Sequence, residues 1–150
     1  NYKFLFADIN NMLGDVIMMR VAEMYLIKAE AAAHISGKTG EAQTLLKELR
    51  DARMKEGFES PAVTATGDEL LKEIWLERRK ELWGEGFSLF DILRLKKPVV
   101  RKNTNYDPSV QYNSAAEAQI LIYRIPQCEM ETNSGISDTD NNPAAPQPQL

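Results

Sequence analysis

Three carboxylates stand four residues apart at Glu77, Glu81 and Glu85, in a segment that also carries Arg78, Arg79 and Lys80. Glycoside hydrolysis needs two carboxyl groups roughly 5 to 10 Å apart, one an acid and the other a base or nucleophile, and one helical turn supplies that separation. Any helix with Glu at i and i+4 supplies it too, and the adjoining arginines would keep both groups ionised, the wrong tuning for a general acid. Ion pairing is the better reading. His34, one turn after Glu30, is at most a two-ligand metal seed. It is the one histidine of the chain, and the one cysteine, Cys128, is far off in sequence; a zinc site takes three or four protein ligands. A helix-end histidine at the negative end of the dipole suits it better. Cys128 itself reads as a buried or half-buried thiol rather than a nucleophile. With no Gly-rich phosphate loop and no serine nucleophile elbow, no catalytic residue, metal or cofactor is expected.

Arg78 is the more telling charge. It falls among Leu71, Trp75 and Leu82 on the apolar stripe of its helix, where an unpaired guanidinium would cost several kcal/mol or more. Glu81 and Glu85 lie three and seven residues on, with Glu85 on the same helical face. Together with Arg20, Glu23, Asp91 and Arg94 they make up an expected structural ion network, a role that bidentate arginine–carboxylate pairs suit. For ligand contact the loop between Arg101 and Asn113 is the place to look. There Tyr106 and Tyr112 offer faces that stack on sugar C–H groups, and Asn105 and Asp107 can bond hydroxyls. Trp75 and Trp83 are helix-borne and read as core.

The elements that position these residues are mainly helical. Asp15 to Ser36 is apolar over most of its circumference, from Ile17 through Met18, Val21, Ala22, Met24, Tyr25 and Leu26 to Ala29, Ala32 and Ala33. Arg20, Glu23, Glu30 and His34 form one narrow polar stripe. Such a helix is covered on more than one side. Asp15 suits its N-cap and Gly37 its C′ position. After a four-residue turn, Ala42, Leu45, Leu46, Leu49 and Ala52 give one clean apolar face over Glu41–Glu56. Two helices so closely joined pack as an antiparallel hairpin. Thr66-Gly67-Asp68-Glu69 fits a capping box opening a third helix to about Trp83. A shorter helix covers Ser88 to Lys96, ended by Pro98. Val99 to Gln119 is irregular, Ile120–Tyr123 reads as a brief strand, and the Asn-, Pro- and Gln-rich stretch from Thr132 can be ordered only by wrapping on other sequence.

The expected class is therefore mostly α: a tetratricopeptide-like helical hairpin plus further packed helices, with an irregular C-terminal region containing a short strand. Leu26, Ala29, Ala33, Gly37, Ala42, Leu46 and Leu49 follow the tetratricopeptide pattern, and one such unit needs further helices stacked on it. The expected organisation is an extended segment over 1–14, a helical domain over 15–131 and a tail over 132–150. At 150 residues and 43% hydrophobic the chain can bury a core. Its net charge of −4, with no Lys/Arg-rich run, argues against a nucleic-acid partner. No apolar stretch is long enough to span a bilayer. With no initiator Met, basic leader or cleavage site at its start, the chain reads as a piece of a longer protein.

One ordered set of motifs goes further. Arg20-Val21-Ala22-Glu23-Met24-Tyr25-Leu26-Ile27-Lys28-Ala29-Glu30-Ala31, then Glu41-Ala42, Leu49-Arg50-Asp51-Ala52-Arg53, Glu77-Arg78-Arg79-Lys80-Glu81-Leu82-Trp83-Gly84-Glu85-Gly86, Phe90-Asp91-Ile92-Leu93-Arg94 and Ile125-Pro126 with Glu129 resemble the successive motifs of SusD/RagB proteins. The resemblance runs from about Asp15 to Asn133. It implies a cell-surface protein of the outer membrane of Bacteroidetes-type bacteria, held there by a lipid on a cysteine that would lie outside this chain. It also implies an oligosaccharide or other nutrient ligand, a TonB-dependent transporter as partner, and no enzymatic activity. A helical adaptor that binds peptides or protein partners in a groove is the alternative.

Overall fold

A computed structural model describes Asp8, Asn10 and residues 18–143; the expected N-cap at Asp15, most of the 1–14 segment and the end of the tail lie outside the described residues. The first helix, expected from about Asp15 to Ser36, is shorter than its apolar pattern: residues 18–20 are not helical, Arg20 is extended at φ −132°, and the helix runs from Val21 to Ala33. The chain divides into two compact units, one ending at Trp83 and the next beginning at Gly84.

The first unit holds three helices. Helix α1 spans Val21–Ala33 and α2 spans Thr39–Asp51. Between them Gly37 sits at φ 80°, the left-handed conformation that lets the chain leave a helix sharply. Helix α3 spans Gly67–Glu81 and packs on α1 and, less extensively, on α2. The core is built from Ala22, Leu26, Ala29 and Ala32 of α1, Ala42, Leu45, Leu46 and Leu49 of α2, Leu70 and Ile74 of α3, and Val63 of the intervening loop. The three buried alanines of α1, Ala22, Ala29 and Ala32, let the α2 leucines approach the α1 backbone closely, which the repeat-like pattern requires. The fold is thus mostly helical, as its sequence indicates.

Several local expectations need correcting. The α1 helix is not covered all round by the described residues: Val21 is 73% exposed, Met24 41% and Ile27 47%. The buried face of α3 is rotated by about one residue. It runs through Leu70, Ile74 and Arg78 at intervals of four, because the α1 contact follows an i, i+4 ridge, and Leu71 is only half-buried. The capping box is absent. Thr66 makes no side-chain bond to the first turn, Gly67 opens the helix at φ 52°, outside the right-handed geometry that the box requires, and Glu69 pairs with Lys72 instead. Trp83 is 70% exposed rather than core.

In the second unit α4 spans Phe87–Arg94, entered through Gly86 at φ 84°. Two short strands follow, β1 (Val99–Val100) and β2 (Asn113–Ser114), paired antiparallel with Val99 opposite Ser114 and Val100 opposite Asn113. They close the loop that carries the tyrosines. The strand expected over Ile120–Tyr123 is not formed: Gln119–Leu121 is a 3-10 turn that buries Leu121. Helix α5 spans Gln127–Thr132, and Cys128 on it is exposed, not buried. Beyond it the tail folds back. The Asn141 side chain bridges the backbone of Ile125 in both directions, at 2.9 and 3.1 Å, and the Asn142 amide donates to the Tyr123 carbonyl. No helix of the described residues is long and apolar enough to cross a membrane.

Candidate functional site: a tyrosine and arginine loop, and a charged helical frame

The frame comes first, because it decides what the carboxylates can do. Glu81, at the end of α3, receives Arg20 at 2.8 Å on Oε1, and its carboxylate also accepts two bonds from Arg53, at 2.9 and 2.8 Å. Arg20 precedes α1 and Arg53 follows α2, so one carboxylate ties the ends of three helices. The Arg53 guanidinium, opposed by desolvation and helped by Arg20, holds the Glu81 carboxyl below the usual range. Glu77 accepts from Arg50 Nε at 3.0 Å and Glu73 from the same guanidinium at 2.9 Å, which binds α2 to α3. Arg78 lies 3.6 Å from Glu23 of α1, with both side chains about nine-tenths buried. Neither Arg50 nor Arg53 stood in the expected network. Their signal was present in the Leu49-Arg50-Asp51-Ala52-Arg53 run, one helical turn from the leucine face, but periodicity alone does not say which acid an arginine meets.

Glu85 lies beyond the end of α3 at Glu81 and is half-buried within the second unit. Asp91, 4% exposed, and Arg94 also belong to that unit, where Arg94 donates to Asp91 at 3.0 Å along α4.

The loop is a braced hairpin. Arg101 N donates to the Tyr112 carbonyl at 3.0 Å, continuing the ladder, and the Asn113 side chain accepts from Arg101 N and Lys102 N at 3.0 and 3.1 Å. Across the loop, Gln111 Nε2 donates to the carbonyls of Thr104 and Tyr106 at 3.2 and 2.7 Å. Asn103 takes up the reversal at φ 58°, a conformation asparagine tolerates better than most residues. Asp107 caps the following 3-10 turn: its Oδ1 accepts from Ser109 N at 2.9 Å and from the Ser109 hydroxyl. These bonds, the hydroxyl's first, hold the Asp107 carboxyl below its ordinary value.

Within this brace Tyr106 and Tyr112 are brought together by Arg101, whose guanidinium carbon lies 5.2 Å from one ring centroid and 5.1 Å from the other, within cation–π range. Tyr106 remains 50% exposed. Of the four residues expected here, both tyrosines share one cluster, Asp107 is engaged with Ser109, and Asn105 stands exposed. Arg101 was expected only as the border of the loop. Its position depends on β1–β2 pairing, and two-residue strands leave almost no periodic trace. Chemically the cluster offers aromatic faces, a fixed cation and nearby amides, a set suited to holding a polyhydroxylated ligand. Among the described residues no group of three or more His, Cys, Asp or Glu is arranged to hold a metal ion.

Comparison with known proteins agrees with the architecture. Residues 5–143 match the model of the SusD family. A SusD-like protein of Formosa agariphila is 37% identical over 90 residues, covering 57% of this chain and 18% of that protein. Two crystal structures from Bacteroides vulgatus ATCC 8482 are similar in fold. A SusD-like carbohydrate-binding protein has TM-score 0.69 and 34% identity, with 93% of this chain and 33% of that one covered. A SusD superfamily protein has TM-score 0.63 and 31% identity, with 86% and 28% covered. The chain thus spans at most a third of the length of these relatives. With its motifs in order, its helices matched and its residues 5–143 fitted by the family model, the chain belongs to the SusD family.

Proposed function

We propose that this chain is part of a cell-surface protein that binds glycans or other nutrients without cleaving them and hands them to a TonB-dependent outer-membrane transporter. The observation that carries this reading is the likeness, over 93% of the chain, to a protein known as carbohydrate-binding. Attachment to the outer membrane would come from a lipid anchor elsewhere in the protein. Non-catalytic binding is supported by the carboxylates themselves. Glu77 is held by Arg50, and Glu81 by Arg53 and Arg20, so each carboxylate already has a charged partner, and those of Glu81 keep its carboxyl below the usual range, the wrong tuning for a general acid. The accessible chemistry lies instead at Tyr106, which is exposed, with Tyr112 and Arg101 half-buried against it.

Co-isolation tests the delivery role. The tagged full-length gene product, purified in mild detergent from its own outer membrane, should bring down a TonB-dependent transporter in a fixed ratio, and calorimetry on the purified protein should show saturable oligosaccharide binding. Recovery of the protein free of any such transporter, together with flat titrations, would contradict the proposal.

A further inference from the structure

The tyrosine loop points to a particular class of ligand. The segment leading into the loop carries Arg94, Lys96, Lys97, Arg101 and Lys102, interrupted by apolar residues. Arg94 is committed to Asp91 and Lys96 to Glu117, at 3.0 Å each. Arg101 is not so committed. Its guanidinium rests over the rings of Tyr106 and Tyr112, and among the described residues no carboxylate is paired with it. The one acid of the loop, Asp107, is occupied by the amide and hydroxyl of Ser109.

A guanidinium carries five donors and is weakly hydrated, and contact with aromatic rings leaves those donors unspent. The loop also fixes its root: Arg101 N is held by both the Tyr112 carbonyl and the Asn113 side chain, so little ordering remains to be done on binding. Neutral sugars would use the rings and amides alone. A sugar bearing an oxyanion would in addition receive a fork of charge-assisted hydrogen bonds, with Lys102 alongside as a second positive charge.

Resting on the glycan-binding reading above, we propose that the Arg101–Tyr106–Tyr112 cluster is a subsite for an anionic sugar, its acidic group accepting from Arg101 while the ring stacks on a tyrosine. Carboxylate and sulfate ester share this chemistry, and the test separates them. The full-length gene product is assayed by calorimetry against oligogalacturonates, carrageenan oligosaccharides, and the carboxyl-reduced and desulfated counterparts of each. One anionic series should bind about tenfold or more tighter than its neutral counterpart, the gap expected from one charge-assisted contact. R101Q should erase that gap, lowering affinity for the anionic sugar about tenfold more than affinity for its neutral counterpart, and R101K, which keeps charge but loses the fork, should keep part of it. The series that shows the gap identifies carboxylate or sulfate as the recognised group. Equal affinity for charged and neutral sugars, or an anionic preference that survives R101Q unchanged, would overturn the subsite and leave glycan binding standing. Failure of every charged and neutral glycan to bind would overturn both. Circular dichroism of R101Q should match the wild type, since Arg101 lies on a partly exposed loop outside the helices.

Discussion

Replacing Arg78 by alanine should cost more stability than almost any other single change in the first unit. Arg78 is 7% exposed and sits on the buried ridge of α3 between Ile74 and Leu82. Its guanidinium faces Glu23 of α1 at 3.6 Å, and that carboxylate is nearly as well buried. Alanine removes one charge and strands the other, a change that costs about 3–5 kcal/mol for buried pairs. Methionine strands Glu23 as well but refills much of the space with three heavy atoms. At about 0.8 kcal/mol per buried methylene it should recover about 2 kcal/mol of the loss. Pairing Arg78→Met with Glu23→Gln removes both charges, and the double variant should be less destabilised than Arg78→Met alone. Thermal melts followed at 222 nm measure this directly. For a chain of this size each kcal/mol shifts Tm by about 2–4 °C, so Arg78→Ala should melt about 10 °C low. Equal Tm for wild type and Arg78→Ala, or Arg78→Met no better than Arg78→Ala, would refute the reasoning.

Other outcomes follow from the same geometry. Glu81→Gln, which weakens bonds from both Arg20 and Arg53, should cost about 1–3 kcal/mol in urea titration, with no matching loss of glycan affinity. Asp51 is held to about 2, against an ordinary 3.8, by Lys47 first and then by the hydroxyl and amide of Ser60. A carboxyl lowered in the fold contributes fully above its unfolded value and loses that contribution as pH falls from about 4 toward 2. Melts of wild type and Asp51→Asn should therefore differ at pH 6 and converge near pH 2, and a constant gap would remove Asp51 from the account. Gly86→Ala should destabilise the second unit by about 1 kcal/mol, because the position sits at φ +84° although no atom crowds a new Cβ; an unchanged urea midpoint would contradict this.

The helical hairpin was legible in the sequence because α2 alternates leucine and charge on a strict helical period, and four of the five residues that period selects are buried; Ala52, the fifth, is exposed because the helix ends at Asp51 rather than near Glu56. The third helix was legible in extent but misplaced in rotation. Leu70 and Leu71 are equally apolar, and only the partner surface decides which of them faces inward. Arg78 drew notice because a charge on an apolar stripe must be accounted for, yet its neighbour in space came from a helix more than fifty residues earlier. The loop was harder. Asn105, Tyr106, Asp107 and Tyr112 could be picked out by residue type, but the contact of Arg101 with both rings depends on a ladder of two-residue strands. Likewise Ile120–Tyr123 has strand composition and no partner strand among the described residues, so local turn bonds prevailed.

The most direct test of a binding, non-cleaving role is the fate of a bound glycan. An oligosaccharide that binds saturably should be recovered after prolonged incubation with the full-length gene product at its original mass, with no new reducing ends by mass spectrometry. Time-dependent appearance of shorter products, abolished by Glu77→Gln or Glu81→Gln, would show that the carboxylates held by arginine on α3 are catalytic after all and contradict the account.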